Sequence, residues 1–307
     1  MRQTTDTILM VRPSQFRKNE DTAVNNFFQT GEDTANNTQE LALAEFNTMA
    51  QLLESKDVQV IVVEDSGQFD TPDSIFPNNV ISFHGTKAVL YPMYAENRRL
   101  ERNLNVLGAL QKAGFSYDQI IDYSIYEDQH QYLESTGVLI LDRINATVYC
   151  SLSPRANPIL VQRFCEDLHY QAVVFEAFQQ VDGDSLPIYH TNVMMSLGTT
   201  FAVICIDSIT DEAQRKVVQQ ALKDSGREII TISEEQMNHF CGNILELRTK
   251  TDGDPLIVMS EQAYKHFTDE QKKKLATHGE LVQTPLYTIE KYGGGSARCM
   301  IAEIFHT

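Results

Sequence analysis

Cys299 is preceded by Gly293-Gly294-Gly295-Ser296-Ala297-Arg298 and followed by an apolar run from Met300 to Phe305. Three consecutive glycines leave the backbone almost unrestricted and keep side chains away from the thiol. A cation beside a thiol favours the thiolate, the form that attacks electrophiles. The stretch reads as a reactive cysteine on an open loop, or as a loop entering a last core strand with a buried thiol. Three further segments carry polar groups of catalytic type: Asp73-Ser74-Ile75-Phe76-Pro77-Asn78-Asn79, Leu133-Glu134-Ser135-Thr136-Gly137 and Tyr189-His190-Thr191-Asn192. Taken singly, Glu134 is a solvated acid, His190 a satisfied core histidine, and Asn78 and Asn79 turn residues.

What changes that reading is where the segments fall. Each precedes an apolar run that pairs with a second across a turn. Val80–Phe83 and Ala88–Tyr91 form one hairpin pattern, Gly137–Leu141 and Ala146–Cys150 another, Asn192–Met195 and Phe201–Ile206 a third. Ile244–Leu247 with Pro255–Val258 is a fourth, and Met300–Phe305 begins a fifth. The units recur every roughly fifty to sixty residues, a spacing that marks an internal repeat. Helical patterns lie between them at Arg98–Ala113, Pro158–Leu168, Asp211–Ser225 and Glu261–His278, with strands such as Val58–Val63, Ala172–Phe175, Glu228–Thr231 and Leu281–Thr284. The expected unit is strand-strand-helix-strand, about five times over. The N-terminal strand Thr7–Val11 can complete the truncated fifth unit and close a ring. The expected fold is a single α/β domain over residues 1–307, a five-bladed pseudo-symmetric propeller whose central channel gathers the polar segments. An ordinary α/β sheet is the plainer alternative.

Composition narrows the partners. The chain has 307 residues, a formal net charge of −17, 42% hydrophobic and 22% charged residues. The acidity argues against nucleic acid or an anionic membrane. An anionic substrate group would need locally placed arginines. No window approaches the roughly eighteen apolar residues of a spanning helix, and the N-terminus lacks an apolar signal region. Cys150, Cys165, Cys205, Cys241 and Cys299 are odd in number, far apart and without a Cys-x-x-Cys pair, so neither disulfides nor structural zinc is expected. A reducing cytoplasm is the expected compartment. The sequence sets no oligomeric state.

Taken in order, these segments resemble the guanidino-group-modifying superfamily of arginine deiminases, dimethylarginine dimethylaminohydrolases, arginine dihydrolases and amidinotransferases, over nearly the whole chain. Met10-Val11-Arg12-Pro13 and Thr22-Ala23-Val24-Asn25-Asn26 look most like its citrulline-utilisation hydrolase branch. The resemblance implies the same five-bladed fold. It assigns Cys299 as nucleophile, His190 as catalytic histidine and Glu134 as catalytic acid. It makes Asp73, Phe76, Asn78 and Asn79 substrate-binding residues, and Arg99 and Arg155 the arginines for a substrate carboxylate. Two departures stand out. Asn79 replaces an acid that clamps guanidinium in deiminases, as in arginine dihydrolases, and Gly137 replaces the last acid of Glu-Gly-Gly-Asp, so some support is expected to be missing.

The chemistry implied is attack of the thiolate on a guanidino or ureido carbon, proton transfer by His190, and hydrolysis of a covalent adduct, with no metal or other cofactor. The substrate would be a small amino acid of the arginine–citrulline kind. Amidino transfer to an amine, or binding without catalysis, are the alternatives.

Overall fold

Five three-stranded sheets share one plan, described for residues 2–31 and 37–306 from a computed structural model. In chain order of their first hairpins, one sheet joins Ile81–His84, Lys87–Leu90 and Gln119–Asp122, and the next joins Ile140–Asp142, Thr147–Ser151 and Gln171–Phe175. Two more join Met195–Leu197, Phe201–Ile204 and Glu228–Thr231, and Leu245–Arg248, Pro255–Ser260 and Glu280–Thr284. In each, the first strand pairs antiparallel with the second, and the second pairs parallel with the third. Parallel pairing requires a crossover, and helices supply it, for example Pro158–Leu168 and Glu212–Asp224.

The fifth sheet joins the two ends of the chain. Thr7–Arg12 pairs antiparallel with Ala302–Glu303 and parallel with Gln59–Glu64. The N-terminal strand thus completes the last unit as expected, although the strand expected over Met300–Phe305 contracts to two residues. The crossover in this sheet is Thr38–Ser55, whose buried Ala42, Phe46, Met49, Ala50 and Leu53 form a stripe at helical spacing. Among the described residues strand pairing stays within each sheet and defines no closed barrel or ring. The fold is mixed α/β with five alike sheets, which is as far as these pairings carry the propeller expectation.

Burial orders the strands within a sheet. Ile81–His84 is buried throughout, while Gln119–Asp122 is largely exposed. First strands therefore lie inside and third strands at the rim. The helix expected over Arg98–Ala113 is broken into Glu96–Arg99, the 3-10 turn Leu100–Leu104 and Val106–Lys112. Asn105 sits between them at φ +51, a left-handed conformation that asparagine tolerates and a continuing helix does not.

Ahead of the inner strands lie short turns rather than the longer strands expected. Pro77–Asn79 is 3-10, Ser135–Val138 and Thr191–Met194 are single helical turns, and residues 297–300 form a turn. Helices this short do not persist alone, so tertiary packing must hold them. Every residue in the three named helical turns is buried.

Candidate active site

These turns present the site. Glu134 and His190 are the residues that open the turns Ser135–Val138 and Thr191–Met194, and Asn79 ends Pro77–Asn79. A small cavity is lined by Asn26, Asp73, Phe76, Asn79, Arg98, Arg155, Tyr189, His190, Gly293, Gly295 and Cys299. Its volume is about 10 Å³, room for about one water. The thiol, the histidine, Asp73, Phe76, Asn79 and Arg155 of the sequence reading thus meet at one place.

Cys299 is held by amides. Asn243 donates to Sγ at 3.2 Å and Asn192 at 3.4 Å. The other end of the Asn243 amide accepts from the Arg298 backbone N–H at 3.1 Å, so one side chain pins the nucleophile and the residue before it. Burial pushes the Cys299 thiol up, and these donors work against that shift. Arg298 favours the thiolate as expected, but more weakly than expected of a cation beside the thiol. Its guanidinium bonds Ile301 O at 2.9 Å and Glu303 at 2.8 Å, and it acts on the sulfur less than the amides do. Asn243 lies two residues before an inner strand, as Asn79 does, so its place in the repeat was the signal that could have found it.

The glycines serve close packing. A Cβ on Gly293 would lie 2.7 Å from the Phe76 ring, and one on Gly295 2.8 Å from it. Gly294 has φ +65, where a side chain is strained. Tyr189 OH donates to Gly294 O at 2.7 Å, and its ring lies 4.4 Å from that of His190.

His190 Nε2 is 2.7 Å from Glu134 Oε2. Burial lowers the His190 pKa to about 4, against the pull of Glu134. Burial also opposes ionisation of Glu134, but Arg155, His190 and Arg98 outweigh it and hold the carboxylate well below its usual range. The resting pair is a carboxylate and a neutral imidazole. The acceptor at Glu134 places the ring proton on Nε2 and leaves a lone pair on Nδ1. Glu134 itself does not line the cavity. Its Oε1 accepts from Tyr94 N–H at 3.0 Å and its Oε2 from Arg155 at 3.3 Å, so it orients His190 from behind.

Asn79 Oδ1 accepts from Arg98 Nη1 at 2.8 Å. A guanidinium can only donate, so the amide oxygen must face it and Nδ2 must face away. Nδ2 is buried without a hydrogen-bond partner among the described residues. Gly137 explains how the amide fits: a Cβ there would lie 2.4 Å from Asn79 Nδ2 and 2.9 Å from His190 Cε1. The missing acid at 137 makes room for that amide rather than leaving a gap. Asn78 points elsewhere, with Nδ2 3.4 Å from Thr136 Oγ1, and does not line the cavity.

The carboxylate arginines need one correction. Arg98, not Arg99, lines the cavity. Successive residues on a helical turn diverge by about 100°, so only one of the pair can point inward. Arg99 donates to Met93 O at 3.2 Å and lies 3.7 Å from Glu127. Arg98 is largely committed as well, to both oxygens of Glu101 at 2.8 and 3.0 Å and to Phe76 O at 3.1 Å. Arg155 lies over the Tyr189 ring at 4.9 Å, and the Asn25 amide oxygen caps its Nε and Nη2 edge.

The segment Asn19–Gln29, noted in the sequence only for the resemblance carried by Thr22–Asn26, packs against the cavity wall. Asn19 and Thr22 donate to Asp73 Oδ2 at 2.8 and 3.1 Å, while Asp73 Oδ1 is buried without a hydrogen-bond partner among the described residues. Asn26 and Gln29 each donate to Gly293 O at 3.2 Å. Burial raises the Asp73 pKa, with Arg98 acting against it.

No helix of the described residues is long and apolar enough to cross a membrane. A comparison with curated protein sequences gives no match. The family model described as "N,N dimethylarginine dimethylhydrolase, eukaryotic" matches residues 12–306. Among solved structures, the N-terminal domain of ArgZ, an arginine dihydrolase of the ornithine-ammonia cycle in cyanobacteria, is similar at 18% identity and TM-score 0.73, covering 97% of this chain and 98% of that one. AgrE in complex with L-arginine is similar at 16% identity and TM-score 0.75, covering 98% of this chain and 40% of that one. A dimethylarginine dimethylaminohydrolase carrying an S-methyl-L-thiocitrulline adduct is similar at 15% identity and TM-score 0.65, with 97% and 98% covered. These identities carry the fold; the family rests on the model match over nearly the whole chain. The chain belongs to the N,N dimethylarginine dimethylhydrolase family, and with it to the guanidino-group-modifying hydrolases that act on C–N bonds of amidino compounds.

Proposed function

We propose that this protein hydrolyses the guanidino or ureido group of a free amino acid through a covalent adduct on Cys299, and that a neutral ureido group, as in citrulline, is the group it fits best. The observation carrying this reading is that Asn79, a residue of the cavity wall, keeps its Nδ2 buried without a hydrogen-bond partner among the described residues. A guanidinium has only donors to offer, and a donor facing it gains nothing. A ureido oxygen accepts, and would satisfy the one amide group left orphaned in the wall.

Polar groups on and beside the segment Asn19–Gln29 stand where the rest of such a substrate would bind. The Asn25 oxygen caps the fork of Arg155, a position suited to an α-carboxylate. Asp73 Oδ1 would take the α-ammonium, which supplies the cation this buried acid lacks on its free side. The cavity holds only about one water, so an amino acid needs its walls to part.

The proton inventory closes. Neutral His190 takes the Cys299 proton as sulfur attacks the ureido carbon, and Glu134 stabilises the imidazolium formed. The imidazolium returns the proton to the departing nitrogen, the C–N bond breaks and ammonia leaves. The remaining thiocarbamate is cleaved at C–S by water, whose proton passes through His190 back to sulfur. The carbamate so released loses carbon dioxide, leaving ornithine. With arginine the same cycle would give citrulline first. This reading takes residues 1–307 as one catalytic domain, its five sheets as blades of a ring closed by the terminal strands, and its five free cysteines as suited to a reducing cytoplasm.

The test is product analysis with arginine and with citrulline, measuring citrulline, ornithine and ammonia. Ornithine from citrulline supports the reading. Clean conversion of arginine to citrulline, with added citrulline ignored, contradicts the inference from Asn79. Turnover only when an amine acceptor is added would make the chain a transferase.

A further inference from the structure

The nucleophile loop rests on a buried acid with no part in the chemistry above. Glu290 lies on the helix Tyr287–Gly293 and is only 2% exposed. Its backbone carbonyl accepts from Gly294 N–H at 3.0 Å. Its Oε1 is 2.6 Å from Ser296 Oγ, and Ser296 O in turn accepts from Cys299 N–H at 2.9 Å. Oε2 is buried without a hydrogen-bond partner among the described residues. Glu290 thus holds the start and the middle of a loop that three glycines would otherwise leave loose.

The groups acting on Glu290 are Ser260, Ser296 and Glu45, and Glu290 in turn acts on Cys241. None is a cation. Glu45, on Thr38–Ser55, accepts from Thr288 N–H at 2.8 Å at the start of the same helix, and its own carboxyl is raised by burial. An acid in such surroundings keeps its proton to unusually high pH.

We propose that Glu290 is a positioning residue that sets the Cys299 loop through Ser296 while it holds a proton, and that losing the proton loosens the loop. Burial raises the Glu290 pKa to about 7, so this change falls near neutrality. Ser260 and Ser296 favour the carboxylate but do not offset its burial. Ionisation would leave a buried charge beside Glu45, and solvating it requires the loop to move. The proposal rests on Cys299 being the nucleophile but not on any substrate.

The experiment is the rate of Cys299 alkylation by iodoacetamide from pH 6 to 8.5, with kcat and KM alongside, in the parent, Glu290→Gln and Ser296→Ala. Glutamine keeps the shape and a hydrogen bond to Ser296 but cannot ionise. The parent should show an inflection near pH 7. Glu290→Gln should lose that inflection and keep the parent's low-pH rate. Ser296→Ala should lower kcat about tenfold with KM little changed, as expected of a misplaced nucleophile. An unchanged inflection in Glu290→Gln overturns the proposal. So does a Ser296→Ala enzyme with parental kcat, or both variants losing thermal stability with the profile unmoved. If alkylation behaves as stated while no ureido or guanidino compound turns over, the functional reading fails and the positioning role stands.

Discussion

Arg98 Nη1 lies 2.8 Å from Asn79 Oδ1, and this one hydrogen bond fixes which end of the amide is taken and which is left as an unpartnered donor. Arg98 is fixed in turn by both oxygens of Glu101. The Glu101–Arg98–Asn79 chain is therefore a device for aiming a neutral donor.

Replacing that donor by an acid should redirect the enzyme. Asn79→Asp keeps the acceptor for Arg98 and puts a carboxylate oxygen where Nδ2 was. That oxygen would attract guanidinium and repel a ureido oxygen. The variant fed arginine should accumulate citrulline, and its kcat/KM for citrulline should fall by about tenfold or more, the effect of about 1.4 kcal/mol. Equal ornithine yields from both proteins would remove Asn79 from the account.

Neighbouring arginines should behave differently. Arg98→Met leaves Glu101 buried and unpaired, which costs about 3–5 kcal/mol. Arg99→Met breaks partly exposed contacts and should cost about 1 kcal/mol or less. Urea unfolding separates the two. Similar losses, or a larger loss at Arg99, would show that the cavity wall is misassigned.

The amide beneath the sulfur should matter for reactivity. Asn243→Ala removes the 3.2 Å donor to Cys299 Sγ and the acceptor for Arg298 N–H. Alkylation of Cys299 at neutral pH should slow by about tenfold, in the range of other lost anion-stabilising donors. Asn192→Ala, which removes the 3.4 Å donor, should slow it less. An unchanged rate in both would place the stabilisation of the thiolate elsewhere.

His190 makes stability depend on pH. Burial lowers its folded pKa to about 4, below the 6.5 of the free side chain. Between these values the unfolded chain binds the proton and the folded chain does not. Stability should therefore fall as pH drops from 6.5 toward 4, and Glu134, also lowered on folding, adds the same sign at the acid end. His190→Gln should flatten the melting temperature across this window. A parent whose melting temperature is level there would contradict a neutral buried His190.

The site was legible where the repeat could be read. Glu134, His190 and Cys299 each fall ahead of an inner strand, and that recurrence picked them out of otherwise ordinary segments. The same rule extends to Asn243, which was passed over because no charged or nucleophilic residue drew attention to it. Arg98 and Arg99 could not be told apart, because a helix of four residues gives no phase from which to read a face. The pairing of Glu134 with His190 and Arg155 joins residues 21 to 56 positions apart, and no local pattern encodes it. The segment Asn19–Gln29 has no hydrophobic period, since it is held by polar contacts to the site. Thr38–Ser55 went unread although its buried stripe is plainly helical. The strands before the site were expected too long, because buried apolar residues in a single helical turn look like strand.

Mass analysis of the acid-quenched enzyme during turnover of citrulline tests the central claim most directly. The account predicts a thiocarbamate on the peptide containing Cys299, absent from Cys299→Ser, together with ornithine in solution. Ornithine formed with parental yield by Cys299→Ser, or an adduct on Cys150, Cys165, Cys205 or Cys241 in its place, would contradict it.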